Sequence, residues 1–573
     1  MGAEYQRLPV SAILATRTVT TTSTCAESHW PMKMHLWMLM ALVSLSGCAG
    51  IANGPAVSAD SGSGGSPQWG DRDAVWDEPI ELIPEALGAY TWPVTTSNEK
   101  AQNYFDQGMQ LRYAYNVDEA ARSMVEAQRL DPACAMCYWG EAFALGSFLN
   151  GAMTVEKSRR AHASIRRAGK LAESNATPVE RDLIAAAQRR YPGNYDPANR
   201  RVVDEAFAAA MAEVYEKYPG HHEVATIYAV ALFMLEERRG YRDLEDPDLL
   251  RLHRVLNGVL DEDRTHAGAC HLYIHATESS RRPELGLPCA EHLGGAVPVA
   301  SHIQHMPSHT WNEIGLWGKS VRANTQAVHA DLKAGRNEGF SYGPAHNMHM
   351  LLYAAAYDGQ GAVATQAGKD YRKLTDNSMY EVLTLIRFGR FDEVRENRRR
   401  PRDEVGAAMW DFAQGYASLK EGDIRRAQSM RDKVLKFAEN AESTFRFHDG
   451  GQLVGIAGHI LDGEIKLTQG NFDAAIIAFE TAVELEDALD YDEPEPLPFA
   501  ARHWLGAAQL EAGRATAAEQ TYRDELADHP KNGWSLYGLK AAIAAQGRED
   551  AAVEREFRNS WERSDTWITA SRF

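Results

Sequence analysis

The chain of 573 residues has only six cysteines, fewer basic than acidic side chains, and no apolar run of the 18 or so residues needed to cross a bilayer. The last absence excludes a multi-pass membrane protein. The shortage of base, 60 Lys and Arg against 79 Asp and Glu for a formal net charge of −19, argues against a nucleic-acid partner, because an acidic surface repels phosphate backbones. The longest basic run, Arg398-Arg399-Arg400, is soon followed by Asp403-Glu404 and reads as a loop rather than a groove. No segment shows a convincing period-two strand pattern. What is present, 44% hydrophobic and 24% charged residues, suits several folded domains or one long repeat array.

The first fifty residues read as an address. Lys33, the apolar stretch from Leu36 to Leu45 and the small residues after it have the order of a secretory signal peptide, so the expected start is Met32 or Met34, with 1–31 outside the mature protein. Leu45-Ser46-Gly47-Cys48 resembles the bacterial lipobox, whose cysteine is lipidated before cleavage; the alternatives are a plain signal peptide or a buried apolar helix. This resemblance implies a lipid-anchored cell-envelope protein. Ala49 after the cysteine fits onward transport to the outer membrane, facing the periplasm. The span 48–83 then carries the lipidated Cys48 and a Gly/Ser/Pro tether, and 84–573 the folded body.

One pattern recurs through that body: a glycine, an alanine twelve positions on, a large residue four beyond it, and often a proline eight further. Gly108, Ala120, Met124 and Pro132 fit, as do Gly415 with Ala427, Gly463 with Ala475 and Phe479, and Gly506 with Ala518, Tyr522 and Pro530. Small residues let two antiparallel helices approach, large ones fill the gap to the next hairpin, and proline stops the second helix. These positions resemble the tetratricopeptide repeat (TPR). The expected fold is all-α, a right-handed solenoid of about seven to nine helical hairpins. An acidic, proline-rich stretch at 490–498 interrupts the period, and such insertions often border a binding surface.

Histidine is unevenly spread. Ten of the 20 lie between His266 and His349, where even spreading predicts about three. His271, His275 and Glu278 sit at i, i+4, i+7; His302, His305 and His309 at i, i+3, i+7; His346 and His349 at i, i+3. Each set occupies one stripe of a helix, and the sets recur about one repeat apart, so the stripes are expected to converge on one pocket. A lone helical histidine is usually a packed or surface residue, which is the reading given to His253 and His459. The joint pattern points instead to one or two transition-metal ions, Cu, Fe or Zn, since imidazole-rich ligation disfavours Ca and Mg. Glu278 is expected as a ligand or as a general base, and Asn347 as a donor behind the ligands. Met306 is read as packing.

The strings Cys270-His271-Leu272-Tyr273-Ile274-His275, His302-Ile303-Gln304-His305-Met306-Pro307-Ser308-His309 and His346-Asn347-Met348-His349, with Asp492-Glu493-Pro494 and Asn532-Gly533-Trp534, resemble a group of bacterial TPR proteins carrying an H-M-P-x-H segment. The resemblance spans nearly the whole mature chain and implies the TPR fold, but no single reaction. Glu495 stands where that group usually has a second proline.

Of the cysteines left after Cys25 and Cys48, Cys134 and Cys137 form a CxxC without the following histidine that haem attachment requires. A local disulfide is the preferred reading, with a metal or redox role as the alternative. Cys270 and Cys289 are candidates for a second bridge, which would hold His271 in place. Three functions follow: a periplasm-facing metalloenzyme, oxidoreductase or hydrolase; a non-catalytic scaffold taking a protein or peptide in the TPR groove; and metal storage or delivery.

Overall fold

The computed structural model describes residues 75–84, 88–236 and 240–573. The lipobox, Cys48 and most of the tether lie outside the described residues. The helices begin with α1 (Glu99–Tyr113), α2 (Val117–Leu130), α3 (Ala135–Leu145), α4 (Val155–Ala172), α5 (Pro178–Arg190) and α6 (Arg200–Lys217). They continue with α7 (His222–Phe233), α8 (Pro247–Leu260), α9 (Ala267–Thr277), α10 (Leu287–Leu293), α11 (Ser301–His305), α12 (Pro307–Glu313) and α13 (Trp317–Ala334). Next come α14 (Pro344–Tyr357), α15 (Gly361–Thr375), α16 (Met379–Arg387), α17 (Phe391–Glu396), α18 (Glu404–Lys420) and α19 (Ile424–Asn440). The last are α20 (Gly450–Thr468), α21 (Phe472–Asp487), α22 (Arg502–Glu511), α23 (Ala515–Asp528), α24 (Gly533–Ala545) and α25 (Ala551–Trp561). Between α19 and α20 a minimal antiparallel hairpin pairs β1 (Thr444–Phe445) with β2 (His448–Asp449). Two residues per strand are too few to show a period-two pattern.

Successive helices pack as antiparallel hairpins, and the repeat positions do the work expected of them. Met124 of α2 lies over both Gly108 of α1 and Gly140 of α3; a Cβ on Gly108 would come within 2.6 Å of the Met124 methyl carbon. Tyr522 of α23 is wedged in the same way between Gly506 of α22 and Gly538 of α24. Each glycine is thus the seat of a large side chain from a neighbouring helix. The architecture is an all-α helical solenoid of TPR type.

Outer helices such as α19 and α25 bury one stripe, whereas inner ones such as α18, α20 and α24 are buried on most sides. Other parts of the chain cover those inner helices. The C-terminal hairpins also return to the middle of the chain: Trp534 donates from Nε1 to the Ala356 carbonyl at 2.9 Å, and Trp317 to that of Pro530 at 2.9 Å.

Candidate metal centre

The helices bearing histidine stripes, α9, α11 with α12, and α14, open consecutive hairpins. Pro307 has no N–H, so the i to i−4 bond breaks between α11 and α12. Met306 nevertheless keeps helical angles (φ −51°, ψ −38°), and the stripe of His302, His305 and His309 continues across the joint. Gly343, at φ +62°, turns the chain into α14, and Pro344 fills its first position; His346 therefore projects from the first turn. Cys270 of α9 and Cys289 of α10 are paired, fixing the start of the helix that carries His271; Cys134 and Cys137 are paired as well.

Six histidines form two adjoining triads. The first is His271, His275 and His302, the second His305, His309 and His346; within each, one ring nitrogen per residue lies within 4.8 Å of the others. His271 and His302 bring Nε2 atoms to 3.1 Å, and so do His305 and His309. Between the triads, the ring centres of His302 and His305 are 5.2 Å apart and those of His275 and His309 5.3 Å. Five of the six are at most 3% exposed, and His346 is half-buried, so the pair of triads meets solvent on the His346 side.

Three of the nitrogens facing away from the triads have fixed partners. His271 donates from Nδ1 to the Tyr113 carbonyl at 2.5 Å. His275 donates from Nδ1 to one oxygen of Glu278 at 2.9 Å, and His309 from Nδ1 to the other at 2.5 Å. Glu493 adds a second carboxylate oxygen 2.9 Å from His309 Nδ1. Glu278, expected as a ligand or general base, forms with His275, His309 and Glu493 a further set of ligand-type atoms within 4.8 Å of one another; both its oxygens accept from imidazoles, one in each triad. This is the carboxylate–histidine arrangement that orients metal-binding imidazoles.

His349 is not brought into either triad. Three residues of helix leave a 60° offset from His346, enough to turn its ring onto Tyr380 of α16, with ring centres 4.1 Å apart. There Nδ1 accepts from Arg446 at 2.5 Å. Asn347 also faces away, donating from Nδ2 to Asp331 at 2.8 Å and to the Tyr342 carbonyl at 3.2 Å.

Two contributors were not singled out as site residues from the sequence. Glu493 arrives from the 490–498 insertion, whose interruption of the repeat was the available signal. Tyr115 follows α1 in the left-handed region at φ +61°, a strained conformation for a tyrosine. Its ring centre lies 4.4 Å from that of His271 and 5.0 Å from that of His302, so it covers the first triad alone. Nothing in the sequence announced it.

Burial governs the protonation of the cluster. It pushes His271, His302 and His305 well below the usual imidazole range, assisted by the neighbouring histidines, and takes His346 down to about 3 with help from His309. His275 is lowered by burial too, against the pull of Glu278. For His309 burial also opposes charge, but the carboxylates of Glu278 and Glu493 outweigh it and raise the group to about 10. Five of the six imidazoles are thus held neutral, the form that binds a metal, and His309 must release a proton from Nε2 to join them.

The residues fit a transition metal on several counts. His275 Nε2, on the side of the ring opposite the Glu278 bond, is buried without a hydrogen-bond partner among the described residues. Two nitrogens at 2.0–2.1 Å from one tetrahedral ion stand roughly 3.3 Å apart, close to the 3.1 Å seen in each triad. A further group, Glu495, Asp528 and His529, also brings ligand-type atoms within 4.8 Å. There both ring nitrogens of His529 already face carboxylates, Glu525 at 2.9 Å and Glu495 at 3.1 Å, which describes a buried ion pair.

No family model matches the sequence, and no curated protein matches it. Among solved structures the chain is similar to human IFIT1, as a dimer with m7Gppp-AAAA, at 12% identity over 86% of this chain and 95% of that one, with a TM-score of 0.29. It is similar to yeast Tom70 at 14% identity over 80% and 99% of the two chains, with a TM-score of 0.30. The TPR domain of P58(IPK) gives 11% identity over 78% and 98%, with a TM-score of 0.20. Likeness at this level adds nothing to what the helices themselves show.

Proposed function

We propose that this is a transition-metal protein holding two ions, one in the triad His271, His275 and His302 and the other in the triad His305, His309 and His346. The observation that carries the reading is two buried triads side by side, with one histidine of each anchored on the same carboxylate. Three protein ligands per ion leave a coordination position open, as catalytic sites require. A bound pair of Cu, Fe or Zn ions would supply Lewis acidity, a bound water of lowered pKa or, for Cu and Fe, electron transfer. The chain's own residues hold the imidazoles in one tautomer through the Tyr113 carbonyl and Glu278, keep water off the first triad with the Tyr115 ring, and leave the approach at His346. Oxidoreductase or hydrolase activity at that approach is the proposed function.

The lipobox-like Leu45–Cys48 segment supports a lipid anchor in the cell envelope, the compartment in which the two cystines persist. A second reading, a non-catalytic scaffold for a protein partner, rests on the helical-repeat architecture. Reconstitution with Cu, Fe or Zn, followed by elemental analysis and an assay of oxygen consumption, separates the two. Bound metal near two equivalents supports the metalloprotein, and a chain that retains none is a scaffold.

A further inference from the structure

The tail beyond α25 has no helix or strand, yet its end is held: Ser571 is buried, and Arg572 and Phe573 are half-buried. Residues 567–569 pass over the surface, with Trp567 86% exposed, and the chain then drops into the inner face made by α16, α18, α20, α22, α23 and α24. Ser571 is 1% exposed there. Its carbonyl accepts from Arg387 Nη1 at 3.0 Å, and its hydroxyl donates to the His503 carbonyl at 2.6 Å and meets the Tyr522 hydroxyl at 2.8 Å. Arg572 pairs with Glu464 at 3.0 Å and Glu511 at 2.8 Å. The Phe573 carbonyl accepts from Tyr416 at 2.6 Å, and its ring stands edge-on to Trp534 with centres 5.8 Å apart.

Every one of these bonds involves a side chain, and they come from five helices, with the Trp534 ring of a sixth, the manner in which a groove holds an extended peptide. A Cβ on Gly389 would lie 2.9 Å from the Phe573 ring, so that wall is shaped to the aromatic group. A second observation points the same way. Arg387 is 2% exposed, its guanidinium carbon 3.7 Å from the Trp534 ring centre, and its Nε and Nη2 have no hydrogen-bond partner among the described residues. A buried guanidinium using one donor of five is built for a ligand rich in acceptors.

We propose that this inner face is a peptide-binding groove recognising an arginine followed by an aromatic residue, and that residues 571–573 are its resident ligand. Two acids read the arginine, Trp534 and Gly389 the ring, and Arg387 and Tyr416 the carbonyls that flank the pair, those of Ser571 and Phe573. A partner segment of the same chemistry competes with the tail for the same contacts. This is independent of the metal reading.

The test uses the full chain carrying Arg572→Glu and Phe573→Ala, and a fluorescein-labelled peptide of residues 562–573. The opened variant is expected to bind the peptide saturably, and wild type, with its groove filled, at least about tenfold more weakly. A peptide with glutamate replacing the arginine should also lose about tenfold. Absence of binding to a folded variant, or equal binding by wild type, overturns the proposal. Should the variant melt early, excess peptide must restore its melting temperature, and failure to do so overturns the proposal equally.

Discussion

His271 and His302 lie 31 residues apart in the chain, yet their Nε2 atoms are 3.1 Å apart. His271 commits its Nδ1 proton to the Tyr113 carbonyl, so its Nε2 presents a lone pair toward the first triad. His302→Ala removes one ligand of that triad only, and the expected metal content falls from about two equivalents to about one. His349→Ala, on the far side of α14, leaves it unchanged. Elemental analysis of both variants after reconstitution checks the pair. Equal loss in both would return His349 to the ligand set.

Glu278 touches both triads through His275 and His309. Glu278→Gln keeps the shape but leaves one oxygen to accept where two are needed, so metal affinity should fall by about 10–100-fold at both positions. Competition against a chelator of known affinity measures this, with circular dichroism confirming an unchanged helical fold. A loss confined to one ion would mean that the carboxylate serves a single triad.

How much of this was legible beforehand depends on the period of the feature. Gly108, Gly463 and Gly506 announced the repeat because a seat for Met124, Phe479 or Tyr522 recurs at fixed spacing. The histidine stripes were legible for the same reason, each falling on one face of a helix one repeat after the last. His349 obeyed the spacing but not the geometry, since a 60° offset on α14 decides between the triad and Tyr380. Glu493 and Tyr115 reach the site from non-helical segments 184 and 187 residues from His309 and His302. No local pattern links such positions, and only the packed array brings them together.

His529 offers a test by pH. Burial opposes its charge, but Tyr357, Glu495 and Glu525 outweigh burial and hold its pKa well above the usual range. A raised folded pKa contributes stability that is fully present below the unfolded value of about 6.5 and lost as pH rises through the folded one. His529→Gln should therefore cost about 3 kcal/mol near pH 6, with the gap to wild type closing at alkaline pH. Melting curves from pH 6 to 10 read this, and a gap that widens with pH would contradict it.

Gly506 tests the repeat packing. A Cβ there would come within 2.5 Å of the Tyr522 ring, which is itself held against Gly538. With no room to retreat, Gly506→Ala should destabilise the chain by about 1–3 kcal/mol. Gly513→Ala, in a turn with open space but φ +73°, reports the separate cost of backbone strain. Denaturant midpoints for the two variants check this, and a neutral Gly506→Ala would remove the wedge from the account.

The most direct test is the metal-to-protein ratio of the intact chain, measured by elemental analysis after reconstitution with copper, iron and zinc in turn and removal of excess ion. Two buried triads predict a ratio near two for at least one of these metals. A ratio near zero for all three would contradict the central claim.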